Sequence, residues 1–131
     1  MNSDLKMRLK PFHDCDGDEI KFFKMLVTML GNRALCYADA LDKDMSVTVI
    51  IKSIENGEDD TAYMLGDEDG NFEVYLDDRM PLGMVIDYLI HELAHVQSWF
   101  CYEENDHGPE FGIAYADLYA LYLALYEVYW S

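Results

Sequence analysis

Between Leu82 and Cys101 the chain is apolar on nearly every side of a helix, yet it carries His91, Glu92 and His95 there. A helix that is apolar all round must be covered by other elements, so this one belongs at the centre of the fold. Burying two imidazoles and a carboxylate in such a helix costs several kcal/mol unless they are paired or coordinated. Histidines at i and i+4 lie one turn apart on one face and can direct ring nitrogens at a single ion. Glu92 follows the first histidine and can reach a metal-bound water from the side. The competing account is a pair of satisfied core histidines with Glu92 bonded to one of them. Residues 80–131 contain no Lys or Arg, which makes a cation beside Glu92 the more attractive account.

An open catalytic zinc site needs a third protein ligand. Position 98 is Ser and position 101 is Cys, which excludes the metzincin spacing. The candidates that remain are His107, Glu103, Glu104, Glu110 and Asp117. Residues 102–107 can span about 20 Å, so the chain can double back along the helix after Cys101. His107 then stands just ahead of a last helix opened by Pro109, at the point where it passes the metal. Taken alone, His107 reads as an exposed loop histidine.

The flanking pattern supplies the scaffold. Ile20, Phe23, Leu26, Val27 and Leu30 recur at helical spacing, with Asp16 or Asp18 as cap and Gly31-Asn32 as a plausible stop. Residues 33–44 suggest a further helical turn or two. The β-branched run Ser46 to Ile54 reads as a strand, Asn56-Gly57 as a turn and Thr61 to Leu65 as a short second strand. Phe72, Val74 and Leu76 alternate with polar or aromatic neighbours, the pattern of a strand with one buried face. Three strands on short connections predict a small, mainly antiparallel sheet. The order helix, strands, helix, helix predicts one α+β domain over residues 1–131.

Charge narrows the partners. Nine Lys and Arg against 26 Asp and Glu give a formal net charge of −17. Such a chain is repelled by phosphate backbones and anionic lipid, so direct nucleic-acid binding is not expected. A protein or peptide substrate, preferably basic, suits it better. No apolar run reaches the roughly 18 residues that a membrane span needs. The N-terminal residues lack the basic-then-apolar order of a signal peptide, and Cys15, Cys36 and Cys101 have no paired spacing. Reduced thiols and a cytoplasmic location follow as expectations. Asp14-x-Asp16-x-Asp18 and Asp67-x-Asp69-x-Asn71 approach the calcium-loop pattern, but Glu19 and Phe72 stand where that loop needs glycine. They read as turns and solvated acidic faces.

His91-Glu92-Leu93-Ala94-His95, followed after a short loop by His107-Gly108-Pro109-Glu110-Phe111, resembles the SprT-like zinc metalloproteases, the Spartan type. The resemblance covers residues 91–111. It implies a minimal zincin-like domain in which His91, His95 and His107 bind Zn2+ and Glu92 is the catalytic base. It also implies endopeptidase activity, with Phe72–Asp77 as the cleft edge along which an extended substrate aligns. No four-cysteine zinc ribbon or basic tail follows, so a role at DNA-crosslinked proteins is not carried over. Tyr115, Tyr119 and Tyr122 lie at helical spacing. One of them can assist an oxyanion, while core packing accounts for most. Two other readings stay open: a catalytically silent zinc-binding module that docks a basic partner, and a gluzincin-like site using Glu110 or Asp117.

Overall fold

The computed structural model describes residues 9–38, 45–54, 62–67, 70–99 and 108–130. Strict alternation decides which strand takes the middle of the sheet. In β3 (Asn71–Asp77) the side chains of Phe72, Val74 and Leu76 are all but completely buried. Only a strand flanked on both sides reaches that depth in so small a sheet. Accordingly β1 (Ser46–Lys52) lies along one edge of β3 and β2 (Ala62–Gly66) along the other, in the order β1-β3-β2.

The pairing corrects the expectation of a mainly antiparallel sheet. β1 runs parallel to β3, with Val49 opposite Val74, and β2 runs antiparallel to it, with Tyr63 opposite Tyr75. The sheet is therefore mixed. Short connections suggest neighbouring hairpins only when consecutive strands pair; here β3 inserts between β1 and β2. Its apolar row has more to gain from the central position than that of β2, whose residues are half-buried or exposed. Gly70 makes the entry to β3 possible. It sits at φ +87°, and a Cβ there would meet Met45 Cγ at 2.6 Å.

Two helices pack against the sheet and a third packs on those two. They are α1 (Gly17–Ala38), α2 (Leu82–Gln97) and α3 (Pro109–Trp130). The expected stop at Gly31-Asn32 is not used, and α1 continues to Ala38. The apolar stripe explains this, because Leu30 and Ala34 are both fully buried on either side of the glycine. A glycine in a helix costs about 1 kcal/mol relative to alanine, and burying one leucine outweighs it. α2 packs beneath β3 and β2, α1 lies beneath β1, and α3 crosses both of the other helices. Leu82, Ile86, Leu89, Ile90 and Leu93 of α2 are fully buried, so the central position expected for this helix is observed. Among the described residues no helix is long and apolar enough to cross a membrane.

Candidate metal centre

α2 is held at both ends, which fixes where its polar residues stand. At its start the Leu82 N–H donates to the Lys10 carbonyl at 2.8 Å, and the Phe12 N–H donates to the Met80 carbonyl at 2.8 Å. The segment ahead of α1 thus clamps the turn that enters α2. At the other end the Ser98 N–H and hydroxyl both return to the Ala94 carbonyl, at 3.0 and 2.8 Å. The next donor, the Trp99 N–H, turns to the Val96 carbonyl at 3.1 Å, an i→i−3 bond, and the helix ends at Gln97 rather than running to Cys101.

Within this frame the two imidazoles meet. The ring centroids of His91 and His95 lie 5.0 Å apart at an interplanar angle of 76°. Both rings are half-buried, whereas Glu92 beside them is only 9% exposed. α3 brings Phe111 against both rings, 5.1 Å from His91 and 4.6 Å from His95. That contact gives Phe111 a role its sequence position did not reveal: it walls the pair. The available signal was its place one turn beyond His107, in the same string.

The tyrosines divide. Tyr115 stands 6.4 Å from His91, ring to ring, and stacks on Tyr119 at 6.1 Å. Burial, and then the negative charge of Asp87, push its phenol above the usual tyrosine range, so it remains a neutral O–H donor at physiological pH. Tyr122 is buried in the core, as most of this row was expected to be.

Asp117 belongs elsewhere. Arg33 of α1 grips its carboxylate with two donors, Nε at 2.9 Å and Nη2 at 2.6 Å, and Gln97 Nε2 adds a contact at 3.4 Å. The hydrogen bonds from Arg33 hold the Asp117 carboxyl below the usual carboxylate range. This bridge ties α1, the end of α2 and α3 together two residues beyond His95. Glu110 is exposed on the first turn of α3. Among the described residues no three His, Cys, Asp or Glu side chains come together as a metal-binding group, so neither Glu110 nor Asp117 completes the pair. His107, Glu103, Glu104 and Cys101 lie outside the described residues.

The expected cleft edge also changes. β3 is hydrogen-bonded to a strand on each side and has no free edge for a substrate. Among the described residues the outer edges of the sheet belong to β1 and β2, and of these β2 packs against α2.

The donor set suits a zinc ion. Two neutral imidazoles at one helical turn are normal zinc donors, and a nine-tenths-buried carboxylate beside them offers a base or an outer-sphere partner. The aromatic wall of Phe111 and Tyr115 limits water on one side. No family model, curated protein or solved structure matches the chain.

Proposed function

We propose that this chain is a zinc-dependent endopeptidase of the SprT-like kind, with a minimal zincin-like domain. The observation that supports this reading most is the pairing of His91 and His95, 5.0 Å apart on the central helix, with Glu92 buried at the next position. A purely structural site has no use for that carboxylate, whereas a hydrolytic one does. His91 and His95 would hold the ion together with His107, the ligand that the His-Gly-Pro-Glu-Phe string suggests.

The chemistry a zinc ion supplies when bound is Lewis acidity, which acidifies water and polarises a peptide carbonyl. The chain's own residues do the rest. Glu92 accepts a proton from the attacking water as the C–O bond forms and the carbonyl oxygen gains its negative charge, then gives that proton to the amide nitrogen, so that the C–N bond breaks and the amine departs. Tyr115, whose ring lies 6.4 Å from that of His91, would supply a neutral hydroxyl as donor toward a developing oxyanion. The outer edge of β2, which packs against α2, offers main-chain groups for aligning an extended substrate in place of β3. The net charge of −17 favours basic substrates.

The test is Glu92→Gln, which keeps shape and hydrogen-bonding capacity while removing the base. Zinc content and folding are expected to survive. Cleavage of a panel of unfolded and basic proteins should fall by on the order of 10²-fold or more, the scale of a lost general base. Equal cleavage by parent and variant, or none by the zinc-loaded parent across the panel, would hand the site to the silent zinc-binding module.

A further inference from the structure

The outward side of α3 is out of keeping with the rest of this surface. The chain carries 26 acidic residues in 131, about one in five. Yet the exposed positions of α3 between Glu110 and Glu127 are Gly112, Ile113, Ala116, Ala120, Leu123 and Ala124, and none is charged. Val128 continues the strip. Ile113 is 71% exposed, Leu123 52% and Val128 77%, the first and last among the most exposed large apolar side chains of the described residues. A helix apolar on all sides is normally covered on all sides. The inner side of α3 is covered by α1 and α2.

We infer that this strip is a homodimer interface, in which α3 packs antiparallel against α3 of a second copy about a two-fold axis near Ala120. Charge singles out a second copy as the occupant. A basic partner would seek carboxylates, and the exposed positions between Glu110 and Glu127 carry none, so this strip is a face on which two copies of net charge −17 can meet without like charges facing each other along most of its length. That axis pairs each position with the one equally far on the other side of Ala120, and it sets Leu123 against Asp117, whose carboxylate is held within its own copy by Arg33. Ala116 meets Ala124, so small residues face small residues and lose no rotamer freedom on contact. Val128, the most exposed projection, meets Gly112, where even a Cβ would find nothing within 4 Å. Ile113 meets the aliphatic stem of Glu127, whose carboxylate stays at the rim.

The size is sufficient for a weak dimer. A helix of 22 residues is about 33 Å long and 10–12 Å across. Each copy therefore offers a footprint of roughly 350 Å² in projection, about 700 Å² for the pair, which is below the ~1,200 Å² of standard stable interfaces and fits a weak, transient dimer. The dimer leaves the histidine site open. Phe111 precedes Ala120 by nine residues, which is two and a half turns, and so lies on the opposite side of α3.

Sedimentation equilibrium of the full chain tests this, with samples up to about 0.5 mM, well above a micromolar Kd. The parent should dimerise, and more tightly in about 0.3 M NaCl, where screening shortens the reach of the like charges to about 6 Å. Ala120→Glu and Ala120→Lys, both at a solvent-facing helix position, should keep the parent's circular dichroism. Each should raise Kd at least tenfold. A mixture of the two should associate more tightly than either alone, because position 120 faces itself across the axis. A parent that stays monomeric throughout would overturn the inference. So would a dimer indifferent to both substitutions, a mixture that gains nothing, or a monomer that instead sediments with uncharged lipid vesicles.

Discussion

Asp77 stands where the sheet hands the chain to the histidine helix, and its removal has a calculable cost. The carboxylate is 3% exposed and takes three donors from Arg79: the backbone N–H at 2.9 Å, Nε at 3.0 Å and Nη2 at 2.7 Å. Arg79 Nη2 also donates to the Ile54 carbonyl, so the group ties the ends of β1 and β3 to the turn before α2. In Asp77→Ala the backbone N–H loses its acceptor, worth about 1 kcal/mol, and a small void opens, worth about another. The guanidinium is half-exposed and regains water, so the ion pair itself adds no more than about 1 kcal/mol. The total is about 2–3 kcal/mol. Asp77→Asn keeps an acceptor for the backbone N–H and should cost about 1 kcal/mol.

The hydrogen bonds from Arg79 hold the Asp77 carboxyl below its usual range. A depressed folded pKa contributes stability that is complete above the unfolded value of about 3.9 and is lost as pH falls through the folded one. The gap between parent and Asp77→Asn should therefore be constant from neutrality to about pH 5 and close below about pH 4. Urea unfolding followed by circular dichroism reads it as a shift of midpoint at constant slope. Asp78→Ala, whose side chain accepts a hydrogen bond from Ser53 at an exposed position, is the control and should cost under about 0.5 kcal/mol. A loss below about 0.5 kcal/mol for Asp77→Ala, or a gap for Asp77→Asn that persists unchanged at about pH 3, would refute the reasoning.

Four further outcomes are expected. His107→Ala should remove most bound zinc while Glu110→Ala retains it, as measured by metal analysis of dialysed protein; the reverse would move the site to a gluzincin-like arrangement. Phe111→Ala removes the wall against both imidazoles and should weaken zinc binding about tenfold in a competitive chelator titration, at the low end for outer-shell changes. Leu118→Ala empties a fully buried position on α3 and should lower unfolding free energy by about 2–5 kcal/mol in the same urea assay. In fluorescence anisotropy the chain should leave duplex DNA unbound at physiological salt and prefer Lys- and Arg-rich peptides to acidic ones, a preference that fades as salt rises.

The central helix was legible because its composition admits one environment. Fully buried aliphatic residues from Leu82 to Val96 surround a polar set at 91, 92 and 95, a pattern that an exposed helix does not carry. The four-residue spacing of His91 and His95 likewise needs only helical geometry to bring the rings to one face. α3 was legible from Pro109 and its apolar run, and the α+β order from the change of period between segments.

What local pattern does not contain is which segments become neighbours. The period-2 alternation of β3 announces one buried face, but says nothing of which strand lies on either side. The parallel pairing of β1 with β3 was settled by competition for the central position. Gly31 reads locally as a stop and is overridden by the burial of Leu30 and Ala34, a tertiary gain. Asp117 reads as a possible ligand until Arg33, 84 residues earlier, is found holding it. Phe111 acquires its role only where α3 crosses α2. Residue type and spacing determined which polar side chains share one face of the central helix, because those depend on bonds and helical periodicity. Tertiary structure alone decided which side chains surround that chemistry, because contacts across tens of residues follow from packing and not from order along the chain.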